Sequence, residues 1–427
     1  MANNVKNRYY VQGKLEFLSP MIVGSGENEN ADIQAIRDWD ENLIIPGTTL
    51  AGNIRHHLEE RSNKRLIERI FGSDEKNSGH SLFSFFDAIS ENAETDIRDG
   101  VKLDNLTKTT KDKSKYDYEI VNEGSFFDFR MEAITRENTE ESKLETVLSE
   151  IVEILKSEKL RIGAKTSRGF GKVKLNKAKI QKIDIVKEKD KWIDFSWSNI
   201  ENNFSSNCDG SLFEEIDSYS LSVEFQIPNS LIIKSYSSDP NDVDSTTLTS
   251  NGKPIISGTS WNGAIRHALE NIGRELGKQK QMQKLIRQTF GWVYLKDNNF
   301  ENHEKGDVIP SKVRIDESKI KDGKMIPYTR NKVDRFTGGV VDGALFDEKP
   351  VYGGNVTLQV EIKNPENYEK GMLILALKEL QNGIQTVGGG SNIGRGRLSN
   401  EESSFTDNDK KYLDDLAEKL NSEGGQQ

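Results

Sequence analysis

Two polar loops hold the carboxylates that could do chemistry. The first, GENENADIQAIRDWDEN, carries Glu27, Glu29, Asp32, Asp38, Asp40 and Glu41; the second, SSDPNDVDSTTLTSNGK, carries Asp239, Asp242 and Asp244. A carboxylate near its ordinary pKa of ~3.9 is a feeble base for a hydroxyl, but it can hold a divalent cation or orient a nucleophile. Most acids in polar loops are simply solvated, and residue type alone does not choose among these.

The cations are placed more regularly. IIPGTTLAGNIRHHLE (44–59) and IISGTSWNGAIRHALE (255–270) agree at ten of sixteen positions without a gap. Each reads as the end of a buried strand, a glycine turn and a helix, with Thr48 as a plausible N-cap in the first copy. Free N–H groups at such a helix start favour anions, and a glycine lets a phosphate approach closely. Gly47, Thr48, Asn53, Arg55 and His56, with Gly258, Thr259, Arg266 and His267, are therefore candidate phosphate contacts. The bland alternative pairs Arg55 with Glu59 and Arg266 with Glu270 one turn on. That is worth only about 0.2–0.5 kcal/mol, in its weaker orientation, and is a poor reason to build the arrangement twice. The histidines fit hydrogen bonding better than acid–base work.

Two glycine loops, TSRGFGK (166–172) and SNIGRGR (391–397), put flexible backbone beside cations. Neither matches GxxxxGK[ST] nor opens a helix, so nucleotide hydrolysis is not expected. A tight turn would explain one such loop. Paired with the Arg-bearing helix, twice, they read as a cradle for a polyphosphate backbone. Lys165, Arg168, Gly169 and Lys172 serve the first copy, and Gly389, Arg395 and Arg397 the second. The excursion KTTKDKSKYDY sets lysines beside Tyr116 and Tyr118, which suits single-stranded nucleic acid, although a solvated hairpin tip is an equal reading. Other chemistries find little support. His56, His57, His80, His267 and His303 show no zinc-type spacing, there is no GxSxG elbow, and Cys208 stands alone, so neither a disulfide nor a multi-cysteine zinc site is available.

The elements that position these residues occur in one order twice. Each copy has an alternating strand (9–25 and 219–235), the strand–turn–helix signature, and a short helix ending in Phe-Gly. A strand with a polar hairpin follows, then an amphipathic helix, a glycine loop and a last strand. That order specifies an α+β fold of tandem duplicated ferredoxin-like domains with inserted hairpin excursions. The expected boundaries are 1–180, a linker at 181–217, a second domain at 218–400, and an acidic tail at 401–427. The chain of 427 residues is long enough for two such cores, and its net charge of −10 excludes a uniformly basic surface but not a basic groove. With no long apolar run and no signal pattern, a cytoplasmic protein with no membrane partner is expected.

Taken together, the acid-bearing loop, IIPGTTLAGNIR, RIFG, DRFTGGVVDGALF and the late SRGFGK loop resemble the RAMP superfamily of CRISPR-associated proteins. More narrowly, they resemble the backbone subunits of type III effector complexes, and the fused pair is similar to the double-domain subunit of type III-D systems. The resemblance implies CRISPR RNA, target RNA and other complex subunits as partners. It implies a hairpin thumb at 103–118 and 315–338, the latter including Arg335, that displaces a base at intervals. It also implies metal-dependent target cleavage, with Mg²⁺ or Mn²⁺, promoted by an aspartate in the loop after the first strand. By position this falls on Asp32, fifteen residues before Gly47, and on Asp244, fourteen before Gly258, with Asp242 second. Two alternatives stay open: a guide-binding scaffold without catalysis, and a metal-independent endonuclease processing precursor RNA with His56 and His80.

Overall fold

The computed structural model describes residues 4–24, 32–72, 80–90, 92–103, 110–205, 212–236, 243–293, 308–400 and 408–422. Glu27, Glu29, Asp239, Asp242, Cys208 and His303 lie outside them, as do the side chains of the lysines in the first excursion. The chain divides into two compact units. The first comprises 1–100, 116–166 and 170–216; the second comprises 101–115, 167–169 and 217–427.

In the first unit the elements are β1 (Val5–Phe17), β2 (Leu43–Ile45), α1 (Gly47–Glu59), α2 (Lys64–Phe71), β3 (Phe83–Phe85) and β4 (Ala88–Ser90). They continue with β5 (Thr95–Leu103) and β6 (Thr110–Val121), whose residues within 101–115 fall in the second unit, and with β7 (Phe126–Arg136), α3 (Glu141–Lys156), β8 (Val173–Asp184) and α4 (Lys189–Ile193). The sheet runs β2-β4-β7-β1-β8, and β1 is antiparallel to both neighbours. Removing the added edge strand β2 leaves the strand order of the ferredoxin-like unit. Alternation sends Tyr9, Val11, Leu15 and Phe17 of β1 into one core, where they meet Leu50, Ile54 and Leu58 of α1 and the apolar face of α3. Tyr10 faces the other way and stacks on Phe195, 3.7 Å between ring centroids, with Trp197 edge-on. The expected linker at 181–217 is therefore partly built into the first unit: 181–184 complete β8, Phe195, Trp197 and Ile200 cover Tyr10 on the outer face, and Phe204 and Phe213 pack against the main core.

The second unit repeats the plan. Its elements are β9 (Ser218–Gln226), β10 (Ser230–Leu231), β11 (Lys234–Ser235), β12 (Ser245–Thr247), β13 (Thr249–Ser250), β14 (Lys253–Ile256), α5 (Gly258–Glu275) and α6 (Gln279–Phe290). A ribbon of β15 (Trp292–Val293) and β16 (Val308–Ile309) leads to β17 (Val313–Ile315), β18 (Ser318–Lys321) and β19 (Lys324–Met325). Then come β20 (Tyr328–Val333), β21 (Val340–Lys349), β22 (Val351–Tyr352), β23 (Asn355–Lys363), α7 (Asn367–Gln381) and α8 (Asn408–Ser422).

The main sheet, β13-β14-β18-β23-β17 with β9 on β23, repeats the first, with β14, β18, β23, β9 and β17 standing for β2, β4, β7, β1 and β3 and β13 added at the edge. The expected last strand is the exception: it is reduced to a single bridge, Gln226 to Ser399. Nor is the segment after residue 400 only an acidic tail. Helix α8 buries Leu416 and Leu420 in the core, and Gly371 of α7 lies so close to the Tyr412 carbonyl that a Cβ would overlap it.

Candidate RNA-binding and cleavage site

The two candidate aspartates occupy one structural position. Asp32 is exposed, and its Oδ2 accepts a hydrogen bond from the backbone N–H of Asp117 on β6 at 2.8 Å. Asp244 is exposed, and its Oδ2 accepts from the backbone N–H of Asp347 on β21 at 3.0 Å. Ile33, the residue after Asp32, forms a parallel bridge with Tyr118; Ser245, the residue after Asp244, pairs in parallel with Glu348. The register therefore selects Asp244 as the counterpart of Asp32. In both copies one carboxylate oxygen is fixed by the strand that returns from the hairpin excursion, and the carboxylate itself faces solvent.

What stiffens this arrangement differs between the copies. In the first, Glu119 accepts from the Ala35 N–H at 2.8 Å and pairs with Arg37 at 2.5 Å, holding the segment just after Asp32. In the second, Thr247 donates to the Lys349 carbonyl at 3.1 Å, and the neighbouring Glu348 gathers Arg395 at 2.8 Å, Lys234 at 3.2 Å and Arg330. Burial alone would raise the Glu348 carboxyl, but the bonds from Arg395, Arg330 and Lys234 outweigh it and hold the group at about 2.

The glycine loops superpose by their close contacts. A Cβ on Gly163 would overlap the Ile22 carbonyl, and one on Gly388 the Ile232 carbonyl; Gly171 and Gly396 stand likewise against Ile162 and Val387. Lys165 thereby corresponds to Gly390, Phe170 to Arg395 and Lys172 to Arg397. Lys165 adopts φ 54°, where its counterpart is a glycine at 75°. Its ammonium lies 3.5 Å from the Tyr118 ring centroid and donates to the Tyr116 hydroxyl at 3.2 Å. Burial, with Arg98 nearby, pulls its pKa down to about 8.

Several expected phosphate contacts turn out to be engaged within the fold. Arg395 is corrected from RNA ligand to structural cation, because its guanidinium is buried against Glu348. Lys165 is clamped on tyrosines, and Lys172 pairs with Glu158 at 3.1 Å. Arg55 does form the ion pair with Glu59, at 2.8 Å, that sequence considerations discounted. Asn53 donates to the Thr49 carbonyl of its own helix. His267 bonds Gln385 and Asn271 through Nδ1, each at 3.0 Å, whereas His56 is exposed beside Glu60. Thr48 is not the N-cap: α1 starts at Gly47 behind Pro46, and the Gly47 N–H donates to Asp87 at 2.7 Å. In α5 the cap is Ser257.

Other candidates stay available to a ligand. Thr48, Thr259, Arg335 and Arg397 are exposed. Within the second unit, Gly258 opens α5 where the carbonyls of Arg168 and Ile315 leave no room for a Cβ, and Gly169 is similarly tight against Asp316 and Glu317. The Gly389 N–H is taken by the Ile232 carbonyl. Burial and the neighbouring Arg266 depress the Arg168 guanidinium to about 10, and Arg266 is itself depressed by burial. Arg168 Nη1 is buried without a hydrogen-bond partner among the described residues. Glu270 already acts on Arg266, as the alternative reading expected, so Arg168 is the guanidinium that an added anion would relieve most.

Sequence reasoning reached Arg335 at the tip of the second hairpin but missed Phe336 beside it. Asp334 Oδ1 accepts from the N–H groups of Phe336 at 3.0 Å and Thr337 at 2.8 Å, fixing a turn that leaves Phe336 98% exposed. The available signal was Asp334 itself, a turn-forming side chain followed two residues on by an aromatic.

The RAMP superfamily description matches residues 14–174 and 224–399. The chain belongs to the RAMP superfamily. The two matches coincide with the two ferredoxin-like repeats, and the membership is consistent with a CRISPR-associated RNA-binding subunit. No curated protein matches the chain. Among the described residues, no helix of this RAMP protein is long and apolar enough to cross a membrane.

Proposed function

We propose that this RAMP protein is a two-domain backbone subunit of a type III CRISPR effector complex, similar to the double-domain subunit of type III-D systems. It lies along a CRISPR RNA in the cytoplasm with other subunits and cleaves complementary target RNA beside Asp32 and Asp244. The observation that carries this reading is the shared register of the two aspartates, each held by the strand returning from a hairpin. The paired guanidiniums of Arg168 and Arg266 and the exposed Arg397 support a polyanionic ligand.

A divalent cation fits the donors present. Each centre offers one exposed carboxylate with one oxygen engaged by backbone, and no group of three acidic, histidine or cysteine side chains that could hold a metal occurs among the described residues. Asp32 in the first centre and Asp244 in the second would hold Mg²⁺ or Mn²⁺, hard cations that carboxylate oxygen suits. The ion would relieve charge on the scissile phosphate when bound. The chain's own contribution is to fix the carboxylate beside a nucleotide splayed from the duplex, whose 2′-hydroxyl then lines up with the adjacent phosphorus.

The test is to map products from a labelled complementary target, with and without EDTA, for complexes carrying Asp32→Ala or Asp244→Ala. Each variant is expected to lose one cut and keep the guide. Retention of both cuts in both variants would leave a guide-binding scaffold. Cleavage of precursor RNA in EDTA would favour the histidine-based alternative.

A further inference from the structure

Glu348 joins three parts of the second domain that sequence keeps far apart. Arg330 comes from the outgoing strand of the hairpin, Arg395 from the glycine loop, and Lys234 from β11. β11 is the antiparallel neighbour of β12, the strand that begins one residue after Asp244. The main chain of Glu348 pairs with Ser245, and the preceding N–H, that of Asp347, holds the Asp244 carboxylate. One side chain thus links β21, whose backbone holds Asp244, to β11 beside β12, to the outgoing strand of the hairpin and to the glycine loop. Its side chain is 6% exposed and that of Arg395 4%, so this bond is little screened by solvent, whereas the Lys234 and Arg330 ends lie nearer the surface.

We infer that Glu348 is a positioning residue for Asp244, setting the carboxylate at the second cleavage centre; the inference rests on the cleavage reading above. A carboxylate is needed because an uncharged side chain of the same size would leave three cations converging without an anion. Their mutual repulsion would push apart the elements that frame Asp244. The first domain has Tyr118 at this position and braces the segment after Asp32 through Glu119, so the first centre is an internal control in the same molecule.

The experiment compares the assembled ribonucleoprotein carrying Glu348→Gln, Glu348→Asp, Lys234→Met or Asp244→Ala, at saturating target, with each cut resolved. Glu348→Gln is expected to slow the second cut ~10–100-fold, the penalty of roughly an ångström of misplacement. The first cut, the target KM and guide retention should stay unchanged. Glu348→Asp should recover part of the rate. Lys234→Met, a change at a half-exposed residue that leaves the Glu348–Arg395 pair intact, should slow the same cut more mildly, which keeps the inference open to test if the glutamine variant misfolds. Independently of activity, amide exchange should rise in 243–249 and 344–349 of Glu348→Gln, and nowhere in the first domain.

If Asp244→Ala abolishes the second cut while Glu348→Gln and Lys234→Met keep the wild-type rate and exchange, the positioning role is wrong and the cleavage assignment stands. If Asp244→Ala keeps the second cut, the assignment of that centre falls and the positioning role falls with it.

Discussion

Glu348 accepts from Arg395 at 2.8 Å at the two positions where the first domain packs Tyr118 against Phe170, 6.3 Å between ring centroids. Duplication has preserved the backbone and exchanged an aromatic contact for an ion pair. A buried pair gains little over a well-packed apolar pair, yet removing one partner alone strands a charge and costs about 3–5 kcal/mol. Arg395→Phe should therefore destabilise the second domain, but by less than that figure, because Arg330 and Lys234 still meet the Glu348 carboxylate. Adding Glu348→Tyr should recover a large part of the loss, because Arg330 and Lys234 can then turn to solvent. Thermal melts of the two single variants and the double variant give the coupling, and additive losses would show that the two positions are not exchanged as a unit.

The glycines of the signature helices separate into two kinds. A Cβ on Gly47 would overlap the Phe85 carbonyl, and one on Gly258 the carbonyls of Arg168 and Ile315. Gly52 and Gly263 are exposed in mid-helix with nothing within 4 Å of a Cβ. Alanine at 47 or 258 should destabilise by more than ~2 kcal/mol through backbone overlap. Alanine at 52 or 263 should stabilise by roughly 0.5–1 kcal/mol, since glycine is a poor helix former. A fold that repeats an unfavourable glycine twice without internal need leaves a close approach from outside as its use. Gly52→Ala and Gly263→Ala should accordingly raise the melting temperature and lower guide-RNA affinity, and unchanged affinity would remove the glycines from the interface.

Acid should expose the carboxylate at the centre of the second domain. Glu348 titrates at about 2 when folded, against an ordinary 4.5. A depressed folded value contributes stability above the unfolded value and loses it as pH falls through the folded one. Between pH 7 and pH 2 the wild type should lose up to about 3 kcal/mol more than Glu348→Gln, at 1.36 kcal/mol per pH unit. Denaturant titrations of both proteins at several pH values check this; parallel curves would mean that the network is already weak when folded.

The fold was legible because its signals are local. The glycine turn, the helical face of Leu50, Ile54 and Leu58, and the alternation in β1 each lie within a few residues. Asp32 and Asp244 were reached by counting from Gly47 and Gly258, but only the parallel pairing with Tyr118 and Glu348 separates Asp244 from its neighbours. Arg395 misled because GRGR reads as a cationic loop while its partner stands 47 residues earlier. The aromatic cover over Tyr10 went unseen because Phe195 and Trp197 sit in polar sequence without periodicity. Helix α8 was read as tail because its net composition is charged, and the seating of Leu416 and Leu420 in the core depends on Gly371 in another helix.

The same contrast makes Arg395 and Arg397 a paired test of the RNA interface. Both belong to one loop, but Arg395 is buried against Glu348 and Arg397 is exposed. Binding to single-stranded RNA releases counterions, so log K falls with log salt by about 0.7 for each phosphate neutralised. Arg397→Ala should weaken guide binding at low salt and reduce the slope by about 0.7, with the melting temperature unchanged. Arg395→Met should lower the melting temperature and leave the slope intact wherever the protein remains folded. Binding measured from 50 to 400 mM salt distinguishes the two effects. A slope unaltered by Arg397→Ala would place the guide on another face of the domain and confine the glycine loop to holding the hairpin and the strand bearing Asp244.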